Sequence, residues 1–420
     1  MRRAGSHPGA WWPALAASVA FVVLAGAAAF AWEASDRQVT DVALYRTYGE
    51  RVAGGDVPYR DFRLEYPPGA LPVVVVPALL TSSADGYRIA LGTLLALVGA
   101  LGILVVALAR GTARRPGRET ALVLGALALS PLALGALLLD RFDLLPAALT
   151  ALVVLALVGG RDRLGAVLLG VAIAVKLYPV VLLPLAVVWA IRRKGTREGA
   201  VVAAIAAAVT ALAYLPFALV APEGVATSVG RQLGRPLQIE SLGSGVLLAL
   251  HHVAGIGLDW RSSHGSQNLT GTAADALALA LFLAQVAVLV WLWSRFARGA
   301  MSGDRLVLHA VGAVTAFVAF GKVISPQFLI WPLFLVALLT GRRLWLAGGL
   351  YALACALTAI WFPARYWSLV KEFDPLASFL VLTRDVVLVL LLLAIVWPMR
   401  EARRPESARS PMRAPTPGRT

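Results

Sequence analysis

The chain has 420 residues, of which 59% are hydrophobic and only 15% charged, and its mean hydropathy is +0.77. Soluble domains carry about 25% charged residues, so composition excludes an ordinary secreted or cytosolic enzyme and most nucleic-acid readers. The formal charge of +15 is dominated by arginines in short loops and the tail, where it reads as membrane topology rather than DNA binding. The single cysteine, Cys355, lies in an apolar stretch, which leaves no intramolecular disulfide and no thiolate metal cluster.

In chain order, the clean apolar windows are 11–32, 89–109, 121–139, 144–160, 199–222, 276–294, 306–321, 323–340 and 344–364. A further window, 375–397, is interrupted by Arg384 and Asp385. Residues 164–191, broken by Lys176 and Pro179, read as two short helices turning at the outer face. These lengths approach what a ~30 Å hydrocarbon core requires, and together they predict an all-α polytopic membrane protein with about twelve spans. Window 11–32 is too long for a removed signal peptide and is expected to remain as the first span. Residues 67–80, with prolines at 67, 68, 72 and 77, are too short to cross and are expected as a re-entrant or interfacial segment. One membrane domain is thus expected over 1–398, with outer loops at 33–66 and 223–272 carrying short amphipathic helices. Residues 399–420, rich in Arg, Pro and Ser, read as a disordered basic tail.

Lysine and arginine set the orientation. The termini and loops 110–119, 159–163, 192–198, 295–305 and 341–343 together hold 23 Lys/Arg and 6 acids, against 15 and 17 elsewhere. That bias places both termini in the cytoplasm and the 33–66 loop outside a cell membrane.

Polar chemistry concentrates in the two outer loops and at three span mouths. In the first loop, Asp41, Tyr45, Tyr48 and Val52 recur at steps of 4, 3 and 4, so residues 40–54 predict a short helix that Gly54-Gly55 ends. Asp41 then lies in its first turn, either as an N-cap or as a catalytic carboxylate. Most other acids there, Asp61 among them, read as solvated charges, while Glu65 adjoins Tyr66-Pro67-Pro68. At the mouths stand Arg141 and Asp143, then Lys176, then Lys322. Each cation is either a snorkelling helix-end residue or part of a ring fit to hold a phosphate at the membrane surface. Arg384 and Asp385 read as a helix–helix polar contact. His251 and His252 are adjacent, which does not set both rings on one helix face, and no metal site is expected. Phosphate-loop, dinucleotide-fingerprint, nucleophile-elbow and zinc-protease motifs are absent from the sequence.

Several of these segments resemble one family. Asp41 with Tyr45 and Tyr48, Gly54-Gly-Asp-Val-Pro-Tyr59-Arg-Asp61 and Tyr66-Pro-Pro resemble the first luminal loop of glycosyltransferase family 87. In order follow Arg141-Phe-Asp143-Leu-Leu-Pro, Lys176-Leu-Tyr-Pro, Arg235-Pro-Leu-Gln238-Ile-Glu240-Ser and Lys322-Val-Ile-Ser-Pro-Gln327. The resemblance implies a GT-C-like fold and inverting transfer of a sugar, by default mannose, from a polyprenyl-phosphate donor to a glycolipid or glycan hydroxyl at the outer face. It implies Asp41 as base and Lys176, Lys322, Arg235 and Arg141 as holders of the donor phosphate. Tyr45, Tyr59, Asp61, Glu65, Tyr66, Asp143, Gln238, Glu240 and Gln327 are further substrate-binding candidates. No cofactor, metal or nucleic-acid partner is expected; the partners are membrane lipids, donor and acceptor.

Such chemistry is physically coherent. A phosphate monoester leaving group has a second pKa of about 6 and needs little protonation, unlike the alkoxide that a glycosidase expels. One base and several cations suffice. The competing expectation is a transporter or flippase of lipid-linked sugars, supported by an echo between the Pro-broken segments that begin at Lys176 and Lys322. A third is a non-catalytic assembly partner of envelope synthesis.

Overall fold

The computed structural model describes residues 12–33, 39–113, 115 and 117–397. The amino terminus, Asp36 and the 399–420 tail lie outside the described residues, and Glu33 is described in its backbone alone. The chain is mostly helical. Helix α1 (Trp12–Glu33) is followed by α2 (Val42–Ala53), α3 (Leu71–Leu80), α4 (Ala84–Thr112), α5 (Gly117–Leu134), α6 (Leu137–Asp140), α7 (Leu144–Val158), α8 (Asp162–Val175) and α9 (Leu183–Lys194). Then come α10 (Thr196–Val220), α11 (Pro222–Leu233), α12 (Leu242–Ala254), and strands β1 (Asp259–Ser263) and β2 (Ser266–Thr270). Helices α13 (Thr272–Arg298), α14 (Gly303–Ala319), α15 (Leu333–Val336), α16 (Gly341–Trp361), α17 (Tyr366–Glu372) and α18 (Pro375–Val396) complete it.

Among the described residues, seven helices are long and apolar enough to cross a membrane: α1, α4, α5, α10, α13, α16 and α18. This is the fold of a polytopic membrane protein. The other expected spans take different forms. Helices α7, α8, α9 and α14 have 15, 14, 12 and 17 residues. Window 323–340 is not a helical span: an extended piece leads into a 3-10 turn at Pro326–Ile330 and then the four-residue α15. Pro326 and Pro332 interrupt any helix there, and Leu329, Ile330 and Leu333 to Leu339 are buried. Its hydrophobicity records burial inside protein, not contact with lipid. Window 121–139 breaks in two, because Gly135 adopts φ +59° between α5 and α6.

The all-α expectation also lacks one element, the antiparallel hairpin β1–β2 within the second outer loop. Adjacent turn residues and short polar strands carry little periodicity. Residues 67–80 form a 3-10 turn and α3, which lies beside α2. A Cβ on Gly49 would strike the Val74 carbonyl, so only glycine permits this approach. Arg46, also on α2, donates to the Ser82 carbonyl just past α3 at 3.0 Å. Contacts at Val74 and Ser82 thus hold α3 along α2.

Ion pairs collect at two ends of the bundle. At one, Arg110 pairs with Glu119 and donates to the carbonyls of Ala337 and Leu339 at 3.0 and 2.9 Å. There too Arg115 pairs with Asp304, Arg163 with Glu198 at 3.0 Å, and Lys194 with Asp162 at 2.8 Å, while Arg192 reaches the Ala297 carbonyl. The loops that charge counting groups on one side therefore meet. At the other end lie Asp41, Arg141, Asp143 and Lys176. Helices α7, α8 and α9, α14 and the irregular 323–340 segment each run from one polar cluster to the other. Helices α7 and α14 lie in the bundle interior: ten of the fifteen residues of α7 and eleven of the seventeen of α14 are buried.

Candidate active site

Helix α2 buries Val42, Tyr45, Tyr48 and Gly49; Tyr45 and Tyr48 belong to the expected face, whose Asp41 and Val52 are half-buried. Tyr45 and Tyr66 close on Phe142 with ring centroids at 5.4 and 5.0 Å, which fixes α2 against the turn between α6 and α7. Asp41 occupies the N-cap position, yet its side chain makes no cap hydrogen bond; the Thr40 hydroxyl accepts from the Val42 N–H at 3.2 Å. The Asp41 carboxylate instead pairs with Arg141. It also accepts from the hydroxyls of Tyr45 and Tyr66, each at 3.4 Å. All three contacts fall on Oδ2, and the side chain retains 29% exposure. Burial raises both tyrosine pKa values, so these hydroxyls stay protonated donors.

Arg141 lies extended between α6 and α7, almost wholly buried, and its guanidinium also donates to the Val39 carbonyl at 3.2 Å. Burial pulls its pKa down to about 10, opposed by Asp143 and Glu240. Two residues on, the fully buried Asp143 accepts from Lys176 Nζ at 2.6 Å and from the Trp331 indole. Phe142, Trp331 and Phe328 surround the same ammonium at 4.9, 5.5 and 5.8 Å, a cation–π cage on three sides. Burial lowers the Lys176 pKa and Asp143 raises it. Lys176 is therefore not a snorkelling lysine.

The third arm is the 235–241 segment, held by the hairpin that the sequence does not announce. The Ile239 N–H donates to the Gln267 carbonyl at 3.0 Å, and the Leu269 N–H to the Leu237 carbonyl at 2.9 Å. Gln238 donates from its backbone to the Lys322 carbonyl at 3.0 Å and from its amide to Ser325 Oγ at 2.9 Å and to Glu240. Burial pushes the Glu240 carboxyl up to about 7, against the pull of Arg384, Arg141 and Arg235. Arg384 belongs to this arm: beyond its ion pair with Asp385 at 2.6 Å, it donates to the Glu240 carbonyl. The expected helix–helix contact is thus a helix-to-loop clamp.

Arg235 and Lys322 are the cations here without a carboxylate partner among the described contacts. Arg235 meets Gln238 Oε1 at 3.5 Å while its buried Nε has no hydrogen-bond partner, and Lys322 Nζ donates to the Leu233 carbonyl at 3.1 Å. Burial lowers the Lys322 pKa, and the charge of Arg235 lowers it further. In the same cluster Arg141 Nε, Asp143 Oδ2 and Glu240 Oε1 are also buried without a hydrogen-bond partner.

Not every candidate joins the cluster. Asp61 staples its own turn, accepting from Arg60 at 2.9 Å and from the Val57 N–H at 2.7 Å, contacts that hold its pKa near 2. Tyr59, at φ 68°, donates to the Tyr66 carbonyl at 2.7 Å and braces that loop. Glu65 lines a small pocket beside Arg63, Arg231, Arg235 and His264. Gln327 is half-buried in the 3-10 turn, and no described contact ties it to the cluster. The two histidines serve packing: His251 Nδ1 meets the Ile256 carbonyl and His252 Nε2 meets Ser378 Oγ. Among the described residues no three His, Cys, Asp or Glu are placed to share a metal. Sequence reasoning misses Trp331, hidden in an apolar window, and Tyr366, which shares the field of Glu240 and Arg141.

An interior carrying this many paired charges is costly in a membrane protein. No curated protein matches the chain. The model of glycosyltransferase family 87 matches residues 64–326, which takes in Tyr66, Arg141, Asp143, Lys176, Arg235, Glu240 and Lys322 and leaves Asp41 just outside. That match covers well over half of the chain, and the protein belongs to glycosyltransferase family 87, a membrane glycosyltransferase.

Proposed function

We propose that the protein moves a sugar, by family default mannose, from a polyprenyl-phosphate donor to the hydroxyl of a glycolipid or glycan acceptor at the outer membrane face. Asp41 is the general base. The observation that carries this reading is the convergence of Arg141, Tyr45 and Tyr66 on one oxygen of that carboxylate. Oδ2 is anchored, and Oδ1 is the oxygen turned to chemistry. As the acceptor oxygen attacks the anomeric carbon, its proton passes to Oδ1 and the carbon–phosphate oxygen bond breaks with inversion. The departing monoester keeps its electron pair, and its second pKa of about 6 removes any need for an acid. Arg235 and Lys322, uncommitted to carboxylates, hold the phosphate first, while Arg141 and Lys176 add field from behind their ion pairs.

The topology consistent with this role has twelve crossings, both termini cytoplasmic and the Asp41 cluster outside. Its support is the charge bias together with the segregation of ion pairs to two ends. The transporter alternative keeps one real feature, since Lys176 and Lys322 each precede a 3-10 turn after a helix. The family assignment displaces it as the primary activity. The deciding assay supplies purified protein with polyprenyl-phosphate mannose and a glycolipid extract: mannosylated lipid and free polyprenyl phosphate are expected in equal amounts. Transfer from a nucleotide sugar but from no polyprenyl-phosphate sugar refutes the donor.

A further inference from the structure

At the end of the bundle opposite Asp41, helices α13, α14, α16 and α18 enclose a cavity of about 390 Å³. Its basic lining is Arg295, Arg305 and Arg343, with Ser302 and His309 beside them. The one acid in the lining, Asp304, is engaged by Arg115. Arg305 reaches the Arg295 carbonyl, and Arg343 donates to the Trp397 carbonyl at 3.3 Å, so both guanidinium groups are positioned. Yet Nε of Arg305 and Nε of Arg343 are buried without any hydrogen-bond partner. A second concavity, bounded by Arg295, Arg298 and Arg305, adjoins the first. Unpaired buried guanidinium donors are costly, and an anion accepting from them removes that cost.

The apolar lining is supplied by Leu292, Leu308 and Val396. At its rim the exposed Trp291 lies under Arg295, with the guanidinium 5.2 Å from the ring. Leu283, Val286 and Val290, spaced at steps of 3 and 4, continue as an exposed apolar track along α13. A cationic pocket at the helix ends that opens onto an apolar helix face suits a molecule with a phosphate at one end and an acyl chain behind it.

We propose that this cavity is a binding site for the headgroup of an anionic phospholipid, with its phosphate on Arg305 and Arg343 and one acyl chain along α13. The site is independent of the sugar-transfer site and lies at the other end of the bundle. A free phosphate shares the headgroup chemistry and lacks the chain.

The test uses the full-length protein, purified in a neutral detergent and titrated with phosphatidylglycerol, phosphatidylcholine or inorganic phosphate, with bound lipid read by native mass spectrometry. Phosphatidylglycerol is expected to bind tightest. Arg305→Gln/Arg343→Gln should weaken it roughly 10- to 100-fold, the scale of one or two charge-assisted hydrogen bonds. Arg295→Gln, at a surface position that leaves the fold intact, should weaken it severalfold. Arg118→Gln, an exposed arginine outside the cavity, should leave it unchanged. Equal retention of phosphatidylcholine, full competition by inorganic phosphate alone, or unaltered binding by Arg295→Gln and the double variant overturns the proposal.

Discussion

Replacing Asp41 with Asn separates catalysis from architecture. Asp41 makes no cap hydrogen bond, so α2 loses nothing at its N-terminus. The Asn amide oxygen still accepts from Tyr45 and Tyr66. What is lost is the ion pair with Arg141, whose side chain is 6% exposed while that of Asp41 is 29% exposed. Leaving a nearly buried guanidinium short of its carboxylate costs about 1–2 kcal/mol after solvent screening on the Asp41 side. A domain stable by about 5–15 kcal/mol survives that. Loss of a positioned base slows the reaction about 10²–10⁴-fold, or about 3–5 kcal/mol of barrier. Purified Asp41→Asn protein is therefore expected to melt within a few degrees of wild type and to bind donor lipid, while its turnover falls by at least two orders of magnitude. A carboxylate that only anchors Arg141 gives a different pattern. Arg141→Gln would then cause the same loss, and the double variant no more than either single one. That pattern, or wild-type turnover by Asp41→Asn, refutes the assignment and turns attention to Glu65, since Asp61 is tied to Arg60 and Val57.

Lys322→Gln should keep the wild-type melting temperature and weaken donor binding roughly tenfold or more, because its amine bonds only a backbone carbonyl; unchanged affinity by lipid titration returns it to the snorkelling class. Lys176→Gln should instead destabilise the fold by about 3–5 kcal/mol, because Asp143 is then left buried and unpaired, and Lys176→Gln/Asp143→Asn should recover most of that loss in a thermal melt. Glu240 carries a pH signature. Its folded pKa is raised from 4.5 to about 7, so the folded state keeps a proton that the unfolded chain releases, and stability should fall as pH climbs from about 4.5 to about 7. Melting curves across that window should show the slope, and Glu240→Gln should flatten it; a slope unaltered in the variant excludes Glu240 as its source. For topology, cysteines placed at Arg60 and Arg197, both exposed, should label from the outside and from the cytoplasm respectively, against a buried Cys355 that stays silent. Labelling of both from one side excludes the twelve-crossing arrangement.

Much of this was legible in one dimension, because a bilayer imposes rules that act on local composition. Apolar windows located the long helices α1, α4, α10, α13, α16 and α18 to within a few residues, and arginine counts grouped the loops that the structure brings together at one end. The same logic flagged Arg141, Asp143, Lys176 and Lys322, since a charge next to a span needs a reason to be there, while Arg235, Glu240 and the role of Asp41 came with the family resemblance. Hydropathy could not distinguish apolar residues facing lipid from apolar residues facing protein. Window 323–340 therefore read as a helix, although its carbonyls at Leu329, Ala337 and Leu339 accept from Tyr351 and Arg110 inside the bundle and its prolines leave it irregular. Pairing was equally out of reach, because Asp41 to Arg141, Asp143 to Lys176 and Glu240 to Arg384 join residues 100, 33 and 144 positions apart. Sequence by itself determined which residues are polar where polarity is costly. Tertiary structure alone decided that Lys176 is spent on Asp143 while Arg235 and Lys322 meet no carboxylate among the described contacts, because a charge's availability depends on which neighbour the fold carries to it.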